Sequence, residues 1–258
     1  MQISAELDDA GVYTVTIEAP PVNAFSIALL AELTAVLGDV PDDARVVLLR
    51  SVGRGFCGGG DVKEVQRLEA FEGILGQARR GLDACVAVEQ CPVPVVAAVH
   101  GYCIGIGVLV VGVCDIVLAA EGTTFVLAEA DNGAASGVVQ ALGLLPEKRM
   151  RSAMFTCEPF FPDELQAYGS VHRVTSPEAL PAAARETALT VAAKSPRVVR
   201  ALKQSMNRNL GRDLIARYRA ELSYTYELNM TGDARAARGT FVDGARGSYA
   251  PAGHDEAP

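Results

Sequence analysis

Two glycine-dense turns constrain this chain more than any other feature. The first, GRGFCGGGD from Gly53 to Asp61, follows the apolar run Arg45 to Ser51 (RVVLLRS). The second, GYCIGIG from Gly101 to Gly107, follows Val93 to Val99 (VPVVAAV) and leads into VLVVGVCD. An unbroken apolar run bounded by turn residues reads as a strand buried on both faces. Each turn then leads into a helix, which exposes backbone N–H groups at a helix start, where the macrodipole favours negative charge. Two such turns could aim one N–H each at a single oxygen, making an oxyanion hole for an enolate or a tetrahedral intermediate. Close strand–helix packing is the plainer use of the same glycines, and the residues alone leave both uses open. Between Gly101 and Cys114 there is no acid, base or hydroxyl other than that of Tyr102.

The pattern around the turns is α/β. Val12 to Glu18 (VYTVTIE) alternates like a half-buried strand and is broken by Ala19-Pro20-Pro21. Ser26 to Leu37 reads as a helix, and a charged helical segment follows the first turn and runs to Val88. Short strands are expected at Asp115 to Ala120 and Thr124 to Leu127. The units read as ββα-like repeats. A dinucleotide-binding reading is not supported. Gly105-x-Gly107 lacks a third glycine at the right offset, and it follows the third long strand rather than the first. From about Glu147 helices dominate. Ser195-Pro196 is placed to start one of them, with Ser195 as N-cap. Val198, Leu202 and Met206, then Leu214, Tyr218, Leu222 and Tyr226, form an apolar stripe suited to packing within the fold or between subunits. The expected division is a core over 1–190, a C-terminal helical oligomerisation region over 191–248 and a disordered tail over 249–258.

Composition narrows the function classes. With 258 residues and half of them hydrophobic, the chain can bury a core without disulfide or metal staples. A net charge of −8 argues against nucleic acid or an anionic membrane as partner. The acidic N-terminal stretch MQISAELDDAG is unlike a signal peptide. Six cysteines without a C-x-x-C pair suit reduced thiols in a cytoplasmic protein. No His/Cys/Asp cluster has metal-ligand spacing.

Four ordered motifs carry a resemblance: PPVNAF (Pro20 to Phe25), GRGFCGGGDVKE (Gly53 to Glu64), VPVVAAVHGYCIGIG (Val93 to Gly107) and CDIVLAA (Cys114 to Ala120). Together they resemble the crotonase, or enoyl-CoA hydratase/isomerase, superfamily over about residues 3 to 245. The resemblance implies a crotonase-like spiral of ββα units with a C-terminal helical region. It also implies an acyl-CoA substrate, no cofactor beyond the CoA moiety, and a homotrimer or dimer of trimers. By position, Gly60 and Ile106 would supply the two oxyanion N–H groups, although relatives usually have Gly at the second position. Val22, Ala24, Cys57, Asp61 and Val62 fall on positions that line the CoA path, and Lys63 reads as a solvated helix residue. Of the two glutamates of typical hydratases, one position is Leu109, which would line the acyl pocket, and the other is Glu129.

That departure selects the chemistry. Hydration of an enoyl bond ordinarily uses two carboxylates. With Glu129 as base and an oxyanion hole, an enolate route by one carboxylate is what remains. Asp131 would join Glu129 if the segment were extended, since i and i+2 then share a side; ordinary turn chemistry is the plainer reading of Asp131-Asn132-Gly133. His100, where relatives often have Asn, reads first as structural. Further motifs, GxCxGxG, GSVHRV (Gly169 to Val174) and YELNMTG (Tyr226 to Gly232), resemble an actinobacterial subgroup. Its known member opens a ring of a steroid-degradation CoA thioester by hydrolysis, and it shares the missing first glutamate. The expectation is C–C hydrolysis of a cyclic β-keto acyl-CoA or double-bond isomerisation. A hydratase lacking the first Glu and a catalytically silent acyl-CoA-binding subunit are the alternatives.

Overall fold

A computed structural model describes residues 2–68, 71–210 and 213–242. The expected tail over 249–258 lies outside the described residues. The strands are β1 (Gln2–Leu7), β2 (Val12–Glu18), β3 (Val46–Ser51), β4 (Val95–Val99), β5 (Tyr102–Ile104), β6 (Ile116–Ala120), β7 (Thr124–Val126) and β8 (Arg173–Thr175). The helices of the first half are α1 (Ile27–Gly38), α2 (Val62–Arg67), α3 (Phe71–Gln90), α4 (Ile106–Gly112) and α5 (Val138–Ala141). Those of the second half are α6 (Glu147–Thr156), α7 (Pro162–Ala167), α8 (Leu180–Ala192), α9 (Pro196–Asn209), α10 (Leu214–Met230) and α11 (Asp233–Val242).

Six strands form one sheet in the order β1-β2-β3-β4-β6-β8, and β5 pairs with β7 in a second. Apart from the antiparallel β1–β2 hairpin, every pairing is parallel. The strand order advances in one direction and never reverses, so the sheet has no topological switch point at which a dinucleotide would bind. The β4–β5 and β6–β7 steps instead put one strand in the long sheet and the next in the short one. That is the expected spiral.

The central strands are buried on both faces, which is why they read as continuous apolar runs. Val47, Leu49, Val95, Ala97 and Val99 face one core, together with Leu30 and Leu33 of α1 and Cys85 and Val88 of α3. Their neighbours Val46, Leu48, Val96 and Ala98 face a second core closed by Leu180, Ala184 and Ala188 of α8. The period of two along each strand feeds two cores at once.

The apolar stripe of the C-terminal region divides in two. Leu214, Tyr218 and Leu222 of α10 are buried in the main core. Val198, Leu202 and Met206 of α9 are exposed instead, at 55, 55 and 48%. The reason is that α9 docks through its polar side. Lys203 Nζ, in a side chain only 3% exposed, donates to the Val88 and Val93 carbonyls and to Asp115 Oδ2 at 2.7 Å. Arg200 bonds the Asp42 and Ala44 carbonyls. Ser195 does stand at the N-cap of α9, but its hydroxyl makes no capping bond and Pro196 alone opens the helix. Ser26 caps α1 in full, its Oγ accepting from Leu29 N.

Candidate active site

The two glycine turns are stitched together by their backbones. Phe56 N donates to the His100 and Tyr102 carbonyls, Cys57 N donates to Tyr102 O, and Ile104 N returns to Cys57 O at 2.9 Å. The seam is close enough to dictate residue type. A Cβ added at Gly107 would stand 2.5 Å from Cys57 Cβ, closer than two carbons can approach. Gly101, at φ +65°, has no room for a Cβ against the Arg54 carbonyl. His100 Nε2 lies 3.0 Å from Gly53 O and ties the first turn to the end of β4.

Both ends of the seam leave an unused donor. Phe25 N donates to Gly59 O and Asp61 N donates to Phe25 O, so this short parallel bridge passes over the N–H of Gly60. At the second turn, Gly105 takes the positive φ of +50° and serves as the N-cap of α4. Ile106 is therefore an ordinary first helical residue, and its β-branched side chain meets no left-handed backbone. Gly105 N is spent on Val126 O. Among the described residues, neither Gly60 N nor Ile106 N donates to a protein acceptor.

Gly60 and Ile106 line one cavity of about 200 Å³. Val62, Val65, Ile74, Ile104, Leu109 and Leu222 give it apolar walls. Leu109 sits one turn into α4, its side chain against Gly137, so this side of the cavity is hydrocarbon. Glu129 lines the same cavity and is 8% exposed. Its Oε2 is buried without a hydrogen-bond partner among the described residues, while Oε1 lies 3.8 Å from where a Cβ on Gly105 would stand. Burial pushes its pKa from the ordinary 4.5 to about 7, opposed only by its own backbone N–H. Such a carboxyl is poised to take and return a proton near neutral pH.

The remaining expected residues lie elsewhere. Asp131 does not line the cavity, because Ala130–Asn132 is a 3₁₀ turn and not an extended segment. The same-side argument for i and i+2 fails in a turn, and Asp131 lies beside Cys157. Cys57 is fully buried behind the seam, its thiol pushed up to about 12 by burial. Asp61 caps α2 by accepting from Glu64 N, and Glu64 in turn accepts from Ile27 N at the start of α1. Val22 packs on Gly58, whose missing Cβ would meet Val22 O at 2.8 Å. Half-buried Ala24 follows Asn23 on the same strip, and Lys63 is exposed. Of the expected residues, then, Gly60, Val62, Ile106, Leu109 and Glu129 share the cavity.

The C-terminal helices complete it. Glu221 of α10 accepts from Gly137, Val138 and Val139 N, and Thr225 Oγ1 accepts from Ala135 N at 3.0 Å. These four bonds hold the loop after Glu129 in place. Tyr218, which pairs with Ser136, lines the cavity with Asn229 of α10 and Arg238 of α11. Sequence reasoning reached Tyr218 only as part of the stripe, and it missed Glu221, Asn229 and Arg238. The sequence signal available was that Glu221 and Thr225 sit one turn from Tyr218 and Leu222 on the face that proves to be buried.

Comparison with known proteins places this geometry. A family model described as enoyl-CoA hydratase/isomerase matches residues 8–249. The chain belongs to the enoyl-CoA hydratase/isomerase family. Within the family it is 39% identical over 245 residues to the (7aS)-7a-methyl-1,5-dioxo-2,3,5,6,7,7a-hexahydro-1H-indene-carboxyl-CoA hydrolase of Mycobacterium tuberculosis, covering 94% of this chain and 99% of that protein. The hydrolase of the same name from Rhodococcus jostii is 39% identical over 246 residues, covering 94% and 95%. An enoyl-CoA hydratase/isomerase structure from Xanthobacter autotrophicus Py2 matches with a TM-score of 0.84 at 24% identity, over 98% of this chain and 99% of that one. The likeness is one of fold. Among the described residues no helix is long and apolar enough to cross a membrane.

Proposed function

We propose that this family member hydrolyses a carbon–carbon bond in a cyclic β-keto acyl-CoA, with Glu129 as its single carboxylate base. The observation that carries the reading is a cavity in which Glu129 keeps a buried Oε2 without a partner among the described residues, while Leu109 puts hydrocarbon where the family resemblance expects a second acid. The hydrolases named above, at 39% identity over nearly the whole chain, support the reaction class.

In this reading the ionised Glu129 takes a proton from water, and the hydroxide oxygen bonds to the ring ketone carbon. The bond from that carbon to the α-carbon breaks, and its electron pair moves to the α-carbon as the thioester enolate. Gly60 and Ile106 N–H hold the enolate oxygen. Glu129 returns the proton to the α-carbon, so the net change is one water added across the C–C bond with the thioester intact. One carboxylate can serve both steps because the proton it takes is the proton it gives back. No cofactor beyond the CoA moiety is called for. The strip of Val22, Ala24, Asp61 and Val62 is assigned to the CoA arm. The exposed Val198, Leu202 and Met206 face is assigned to contacts in a homotrimer or dimer of trimers.

The test is to incubate the protein separately with a cyclic β-keto acyl-CoA, crotonyl-CoA and a 3-enoyl-CoA. Turnover of the first alone is expected. Fast hydration of crotonyl-CoA would show that one carboxylate suffices for a hydratase here, and isomerisation of the 3-enoyl-CoA would move the assignment to a proton shuttle. Binding with no turnover of any of the three would make the chain a silent acyl-CoA-binding subunit.

A further inference from the structure

The cavity wall facing α11 has chemistry that the proposed reaction has not yet used. Ala234 of α11 packs against Gly133 so closely that a Cβ there would meet the Ala234 backbone. Arg238 follows four residues later on the same helix face and lines the cavity, half-buried. Its guanidinium forms no ion pair or hydrogen bond with any described residue. Burial, with Arg235 nearby as a second cause, makes its charge harder to hold than usual. No other Arg, Lys or His is among the cavity-lining residues described. Asn132 and Asn229 line the same cavity. Their amide nitrogens donate to Ala128 O and Thr225 O, at 2.8 and 2.6 Å, while both Oδ1 atoms are buried without a partner among the described residues. Hydrocarbon filling this end would leave a guanidinium and two amide oxygens without hydrogen bonds, which is costly for each of them and most of all for the charge.

We infer that Arg238 binds a carboxylate at the end of the acyl group remote from the thioester, and so receives the acid that ring opening creates. The inference rests on the hydrolase reading above and names the specificity of that site. Water-driven cleavage turns a neutral ring ketone into an anion inside a cavity that already holds Glu129. A guanidinium without a partner among the described residues offsets the new charge and can grip it through two parallel N–H···O bonds.

The test uses binding alone, so it does not depend on turnover. Adipyl-CoA and hexanoyl-CoA, equal in carbon number and differing by a terminal carboxylate, are titrated calorimetrically into the wild-type protein and into Arg238→Gln and Arg238→Lys. Wild type should bind adipyl-CoA about ten-fold tighter than hexanoyl-CoA, the discrimination expected of one charge-assisted pair. Arg238→Gln should erase that preference and leave hexanoyl-CoA affinity unchanged, and Arg238→Lys should restore part of it. A wild type without the preference, or a preference that survives in Arg238→Gln, overturns the inference and leaves the hydrolase reading standing. Equal weakening of both thioesters by Arg238→Gln also overturns it, because Arg238 would then be touching the CoA phosphates. If neither thioester binds wild type, the acyl-CoA reading falls and this inference falls with it.

Discussion

Replacing Glu129 with Gln should abolish turnover and at the same time make the protein more stable at alkaline pH. Glu129 is 8% exposed and Oε2 has no partner, so ionising it in the folded state carries a desolvation cost that the unfolded chain does not bear. The pKa is pushed from 4.5 to about 7 by that burial. The raised folded-state value fixes the sign: the folded protein binds the proton more tightly than the unfolded one. The carboxyl therefore costs no stability below about pH 4.5, costs progressively more as the pH rises, and reaches its full penalty above about pH 7. At about 1.4 kcal/mol per pH unit, that penalty is about 3 kcal/mol. Gln does not titrate, so the difference between the two proteins isolates this group. Urea unfolding of both at pH 5, 6, 7 and 8 should show the Gln variant gaining about 2–3 kcal/mol on wild type across the series. Wild-type kcat/KM should rise over the same interval to a plateau, because the base must be ionised to accept a proton. A stability gap that stays constant with pH, or that moves in wild type's favour as the pH rises, would refute the burial argument.

Other sites give independent checks. Gly107→Ala puts a Cβ 2.5 Å from Cys57 Cβ and must push the two turns apart. Thermal denaturation should show a loss of about 1–3 kcal/mol, and kcat should fall about 100-fold as Gly60 and Ile106 lose alignment. Lys203→Met removes the partner of Asp115 and of two buried carbonyls. A loss of about 3–5 kcal/mol is expected in denaturant unfolding, with kcat per folded molecule unchanged. Glu221→Ala withdraws the acceptor of the Gly137, Val138 and Val139 N–H groups. Hydrogen exchange should speed up at Gly137, Val138 and Val139, and activity should fall with it.

How far the sequence reaches can be judged at particular residues. β3 and β4 are legible because a strand buried on both faces must be apolar at every position, as VVLLRS and VPVVAAV nearly are. Gly60, Ile106 and Glu129 are legible because short local motifs around them reproduce a known family order. β5, at three residues, is too short for its period of two to show, and β1 was missed at the chain start because four of its six positions are exposed. Asp131 was misplaced because sequence spacing cannot separate an extended segment from a 3₁₀ turn. Arg238 reaches the cavity, and Glu221 the Gly137–Val139 segment beside it, only after the chain has returned about a hundred residues later, and no local pattern encodes that return. The stripe from Val198 to Tyr226 reads as one surface. In the fold the buried ammonium of Lys203 turns α9 over, so that half the stripe is core and half is exposed.

The central claim is that water cleaves a ring carbon–carbon bond while the thioester stays whole. It is tested most directly by turning over a cyclic β-keto acyl-CoA in H₂¹⁸O and analysing the product by mass spectrometry. The expected product is an intact CoA thioester that carries one ¹⁸O in a newly formed carboxylate. Release of free CoA, or ¹⁸O in an alcohol β to an unbroken thioester, would contradict the account.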